Sequence, residues 1–143
     1  RVGPYSATEF YKNVFRREQL RSEFHDHWQA SGIDALVMPA GPTPAIPVDL
    51  DVSDSIYNYS AIFNVMDYPA GVIPVTEVDA KKDKLKLSEQ EISQLNWQSQ
   101  SYLNAYDPED QAGLPLGVQV VGKTFNDEQV LGIMEYIDGL LHQ

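Results

Sequence analysis

Apolar residues along this chain follow two different periods. Phe10, Val14, Leu20, Phe24 and Trp28 recur mostly at three- to four-residue intervals, the spacing of one helix face. Ser6 stands three residues before Glu9, where serine hydroxyl and carboxylate satisfy each other's free backbone donors, and Tyr5 and Phe10 hold the flanking staple positions. The spacing predicts a helix ending about Ser31, with Gly32 able to take the left-handed cap. Ala35 to Met38 then reads as a short apolar strand. Pro39, Pro42, Pro44 and Pro47 follow it and preclude both regular helix and central strand, so an ordered loop is expected.

The second apolar block is "YNYSAIFNVMDYPAGVIPV". Tyr59, Ile62, Phe63 and Met66 fit one face of a short helix that cannot easily pass Tyr68, because Pro69 pushes its neighbour towards extended geometry. Ala70 to Val75 carries no charge, as expected of a strand covered on both faces. Residues 77 to 91 are mixed in charge and read as a surface excursion. A second capping box, Ser88 with Glu91 and Leu87 with Ile92 as its staple, predicts one helix from Glu89 to about Ala105, with Ile92, Leu95, Tyr102, Leu103 and Tyr106 inward. Leu116 to Val121 reads as another buried strand. A last helix is expected from Asp127 to about Leu141, capped by Asn126.

About three short strands among four helices, two of the strands apolar on both faces, give a layered α/β class. A free three-stranded sheet would leave unpaired apolar edges, so the chain reads as part of something larger. Its 143 residues suffice for one domain, which at that size buries roughly 70% of its unfolded surface. It begins with Arg1 rather than methionine, and a fragment or processed piece is the expectation.

Charge narrows the partners. Ten Lys+Arg against 21 Asp+Glu give a formal net charge of −11, which repels nucleic acid and anionic lipid at long range. There is no cysteine, hence no disulfide framework or thiolate metal site, and localisation stays open on that count. No apolar run approaches the ~18 residues of a membrane span, and "RVGPYSATEF" lacks a secretory apolar core.

Three local motifs suggest chemistry, and each fails on its physics. "GVQVVGKT", Gly117 to Thr124, fits the phosphate-loop pattern letter for letter. Its variable positions hold Val118, Val120 and Val121, which favour extended backbone, and Asp127 and Glu128 would meet a bound phosphate with two carboxylates. "HDH", His25 to His27, puts its histidines two apart on a helix, pointing to nearly opposite sides, whereas one metal needs three- or four-residue spacing. "DLDVSD", Asp49 to Asp54, starts like a calcium loop but has Asp54 at the glycine position and Ser60 where the bidentate glutamate should stand. No G-x-S-x-G elbow exists.

Taken together with their flanks, the apolar blocks resemble a known family. "WQASGIDALVMPAGPTPA" at 28 to 45, "DYPAGVIPVTEVD" at 67 to 79 and "GLPLGVQVVGKTFNDEQVLGIMEYI" at 113 to 137 are similar, in order and spacing, to the C-terminal portion of the amidase signature family. "NVMDYPAGVIPVT", with a long spacer before "GLPLGVQ", resembles most the fatty acid amide hydrolase and acetamidase-like branch.

The resemblance implies a large mixed β-sheet covered by helices. It implies hydrolysis of a carboxamide through an acyl-enzyme, by a serine activated through a second serine and a lysine, with no cofactor. The glycine- and serine-rich signature and the catalytic lysine of that family have no counterpart here, and Lys81, Lys82, Lys84 and Lys86 match no catalytic position. Residues 1 to 143 are therefore expected to be the C-terminal segment of one amidase domain, inactive alone, that completes the sheet and lines part of a substrate pocket. Tyr59, Ser60, Phe63 and Met66 are the candidate pocket residues, with Phe125 added for its place after the last strand. Asn64 and Asp67 are expected to fix the turn through local backbone bonds. The implied partners are a small-molecule amide substrate and the remainder of the amidase chain, with a homodimer compatible with both. A second reading is a non-catalytic module that docks by sheet-edge pairing.

Overall fold

The computed structural model describes residues 5–47 and 54–142. Helix α1 runs Ala7–Ser31. Its start is the capping box read from the sequence: Ser6 Oγ accepts from the Glu9 N–H at 3.3 Å, and the Glu9 carboxylate accepts from the Ser6 N–H at 2.9 Å. Gly32 ends it at φ 68°, a left-handed conformation open to glycine at no steric cost. Strand β1, Ala35–Pro39, follows. A 3₁₀ turn at Asp54–Tyr59 leads into α2, Ala61–Met66, which stops at Asp67 with φ 56°. Strand β2 is Ala70–Glu77, two residues longer than the expected Ala70 to Val75.

Residues 89 to 105 depart from the single helix expected. They form α3, Glu89–Ser93, and α4, Trp97–Asn104. The break has a local cause: Asn96 takes extended geometry and its side chain accepts from the Ser99 N–H at 2.9 Å, starting a new helix. Strand β3, Pro115–Gly122, and helix α5, Asp127–Leu141, complete the chain, giving five α-helices among the described residues where four were expected. Asn126 does not cap α5 through its side chain, which instead bonds Gln129.

The sheet has the order β1-β3-β2, and both pairings are antiparallel. Proline lies in all three strands where a missing N–H is tolerated: Pro39 and Pro74 on edge strands, Pro115 at a strand's first residue. Only β3 is central among the described residues; β2, expected to be covered on both faces, is an edge strand here with one face exposed. The outer edges of β1 and β2 are unpaired among the described residues, and Val72 on β2 is 57% exposed.

Alternation along β3 sends consecutive valines to opposite faces. Val120 packs with Ile73 and Val130, backed by Ile133, Met134 and Ile137 of α5. Val121 packs with Trp28, Phe63, Met66 and Tyr68 from α1, α2 and the turn after it. Both valines are fully buried, each contributing about 1.5–3 kcal/mol of apolar transfer. Helices therefore cover β3 from above and below, as its apolar sequence implied.

Helix α1 is docked only at its end. Trp28 is buried, its indole N–H donating to the Ile33 carbonyl at 3.0 Å, and Phe24 meets Trp28 and Tyr68 edge-on. Phe10 and Leu20, expected inward, are exposed, because the described sheet lies beside the last turns of the helix and does not reach the first ones.

Candidate functional site

The five candidate residues fall in three different places. Tyr59 and Ser60 are half-buried at the entry to α2, where the Ser60 hydroxyl reaches the Tyr57 carbonyl at 3.5 Å and makes no helix cap. Phe63 and Met66, expected as cavity wall, are buried in the cluster with Trp28, Tyr68 and Val121, since the inward face of α2 is taken up by that core. Phe125 is 90% exposed at the opposite end of β3, with φ 65°. Asp67 does fix its turn, through its backbone N–H to the Asn64 carbonyl at 3.4 Å, while its carboxylate pairs with Arg21 of α1 at 3.0 Å.

A more coherent site forms where the proline-rich loop leaves β1. Ala40 to Ile46 and Pro115 to Gly117 enclose a concavity of about 330 Å³. Pro42, Thr43 and Pro44 also line a second concavity, of about 410 Å³, closed on its far side by Asp83 to Lys86, Tyr102, Leu103 and Tyr106. That far wall is tied down by the Tyr106 hydroxyl, which donates to the Asp83 carbonyl at 2.6 Å. Burial, helped by the Asp83 carboxylate, pushes the Tyr106 phenol up from its ordinary value, so it stays a neutral donor. The first lining is mainly aliphatic and proline, the character of a site for an apolar ligand, while the second adds the charged residues Asp83, Lys84 and Lys86 to its prolines, leucines and tyrosines.

Two residues that sequence reasoning missed hold this region together. Gln119 lies in mid-β3, 2% exposed, and its amide donates to the Pro39 carbonyl at 3.0 Å and the Tyr59 carbonyl at 2.8 Å. It thereby brings the loop and the α2 entry to one point. Gln111, 3% exposed, donates to the Ala45 carbonyl at 2.9 Å. A lone carboxamide within "GVQVV" was the one available signal for Gln119; Gln111 has none.

At the other end of β3, Tyr68 and Phe125 line two concavities of about 350 Å³ each together with Arg21 and Thr124. The Tyr68 hydroxyl is buried and makes no hydrogen bond of adequate geometry, although Thr124 and Arg21 are near enough to act on it. Burial outweighs both and pushes the phenol above its ordinary value.

The phosphate-loop lettering is occupied by strand: Gly117 to Gly122 belong to β3. Lys123 reaches the Gln29 side chain at 3.5 Å. Among the described residues no group of three or more His, Asp or Glu is placed to hold a metal ion. Asp49 to Ser53 of the calcium-like stretch lie outside the described residues.

Comparison with known proteins agrees with this architecture. The sequence model of the Amidase family matches residues 3–131. A Schizosaccharomyces pombe protein named as an amidase is 33% identical over 140 residues, 98% of this chain and 25% of its own length. Acetamidase of Aspergillus oryzae is 29% identical over 139 residues, 93% of this chain and 24% of its own. Fatty acid amide hydrolase 1 of Caenorhabditis elegans is 31% identical over 138 residues, covering 94% and 22%. A solved structure of fatty acid amide hydrolase superposes with a TM-score of 0.78 at 27% identity, over 96% of this chain and 24% of that one. The chain spans about a quarter of the length of the relatives it matches.

Proposed function

The chain belongs to the amidase family, and from that premise we propose that it is the C-terminal segment of one amidase domain whose reacting groups lie elsewhere in a longer parent polypeptide. The parent hydrolyses carboxamides through an acyl-enzyme. A serine oxygen attacks the amide carbon, the amine leaves with a proton, and water releases the acid from the ester so formed. This segment supplies sheet and cavity wall and no bond-making group. Tyr59 and Ser60 face the substrate from the α2 entry, Phe125 from the far end of β3, and Phe63 and Met66 support the wall from the core behind.

The observation that carries this reading is the span of the resemblance: the family match covers residues 3–131, and the likeness to a solved fatty acid amide hydrolase covers 96% of the chain. The open edges of β1 and β2 fit strands supplied by the rest of such a domain.

Two measurements test it. The parent polypeptide, given a set of short- and long-chain carboxamides, should release acid and amine and be labelled by a serine-hydrolase probe, while residues 1–143 alone should do neither. A parent that hydrolyses none of them, and a probe that labels nothing, would leave the edge-docking module as the better reading.

A further inference from the structure

Proline has no N–H, so a loop with Pro39, Pro42, Pro44 and Pro47 holds more carbonyl acceptors than donors. The carbonyls of such a loop, those of the exposed residues Pro39 and Ala45 among them, are met by water or by donors from outside it. Two side chains provide them, one at each end. Gln119 Nε2 donates to the Pro39 carbonyl where the loop leaves β1, and Gln111 Nε2 donates to the Ala45 carbonyl near its far end, across sequence separations of 80 and 66 residues. These glutamines are the two buried carboxamide side chains among the described residues.

Each glutamine is itself fixed by a second bond. Gln119 also donates to the Tyr59 carbonyl, and the Gln111 side-chain oxygen accepts from the Asp107 N–H at 3.0 Å. The clamp therefore runs from the loop to the α2 entry on one side and to the turn before β3 on the other. Between its ends, Pro42, Thr43 and Pro44 form a partition shared by the two concavities of about 330 and 410 Å³. Displacing that partition enlarges one space at the expense of the other.

We propose that Gln111 and Gln119 are positioning residues that clamp both ends of loop 40–46, fix the division of space between the two cavities, and so set the size of the apolar group accepted on the amide substrate. The selectivity part of this inference rests on the amidase reading; the clamp itself does not.

The experiment uses the full-length parent with Gln119→Met and Gln111→Met, which keep side-chain length and remove the donors. Gln119→Glu keeps the shape and likewise removes the N–H donors. Kinetics on a homologous series of straight-chain carboxamides should show KM raised about tenfold for the preferred lengths, kcat changed less than about threefold, and the optimum length displaced. Backbone N–H exchange at Gly41, Thr43, Ala45 and Ile46 should quicken by about tenfold in the same variants. Where a methionine variant does not fold, Gln111→Asn, one methylene shorter, should show the same changes in smaller measure. Variants with the wild-type length profile and wild-type loop exchange, differing only in melting temperature, would overturn the proposal. A wild-type parent that hydrolyses no amide of the series defeats the amidase reading instead, and loop exchange then decides the clamp by itself.

Discussion

Gly122 at the end of β3 and Val130 on α5 are packed so closely that the glycine has no room for a side chain: a Cβ built there overlaps Val130 Cγ2. The valine cannot retreat easily, since it is 3% exposed and sits in the cluster with Val120 and Ile73. Gly122→Ala should therefore cost about 1–3 kcal/mol, as overpacking does. Gly132, on the exposed side of α5 with nothing within 4 Å of a built Cβ, supplies the control. Gly132→Ala should stabilise by about 0.5–1 kcal/mol through helix propensity. Denaturant unfolding of the two variants in the parent checks the contrast, and equal effects would refute the packing argument.

Phe125 combines an unfavourable backbone with an unburied ring, at φ 65° and 90% exposed. A left-handed conformation costs an L-residue roughly 1–2 kcal/mol, which glycine avoids. Phe125→Gly should thus raise stability by about 1 kcal/mol, because little burial is lost with the ring. If the ring serves an apolar substrate in the parent, the same variant should show a raised KM. Greater stability with unchanged kinetics would remove Phe125 from the substrate wall.

How far the sequence reveals the fold depends on how local each determinant is. The boxes Ser6/Glu9 and Ser88/Glu91 and the Gly32 cap act across three residues or fewer, and all three form as their spacing predicts. Strand positions were readable because uncharged runs have one physical use, burial. The helix break at Asn96 was not, since the apolar spacing of Ile92, Leu95 and Tyr102 continues through it and masks a competing cap. The same spacing on Phe10 and Leu20 marked a helix face correctly, but nothing in it could say that the described sheet lies elsewhere. Gln111 and Gln119 lay furthest from reach: their roles exist only through partners 66 and 80 residues away.

Tyr68 presents a buried hydroxyl without a well-formed hydrogen bond. Removing it should relieve a desolvation cost, so Tyr68→Phe is expected to be neutral or to stabilise by up to about 1 kcal/mol. A loss of more than about 1 kcal/mol would instead show that Thr124 accepts a real bond. The raised phenol gives a second readout. Its folded-state pKa lies above the unfolded value of 10.0, so stability is retained below pH 10 and declines as pH rises from there towards the folded value. Tyr68→Phe should lessen that alkaline decline.

The two capping boxes make a paired prediction on carboxylates. Glu9 is held below its ordinary value of 4.5 first by the Ser6 hydroxyl and then by the Ser6 N–H. For Glu91 the order is reversed, the Ser88 N–H acting more strongly than the hydroxyl. Ser6→Ala and Ser88→Ala each remove the hydroxyl donor and keep the backbone one, so each should restore its glutamate in part and to a similar extent. Both folded-state values are depressed, so the boxes contribute fully above about pH 4.5 and lose their contribution as pH falls through the folded values. Carboxyl titration followed by NMR, with helix-start exchange at Ser6 and Ser88, checks both statements. Unequal recovery of the two glutamates would refute the equivalence of the two boxes, whose hydroxyl donors both lie at 2.7 Å and whose backbone donors lie at 2.9 and 2.8 Å.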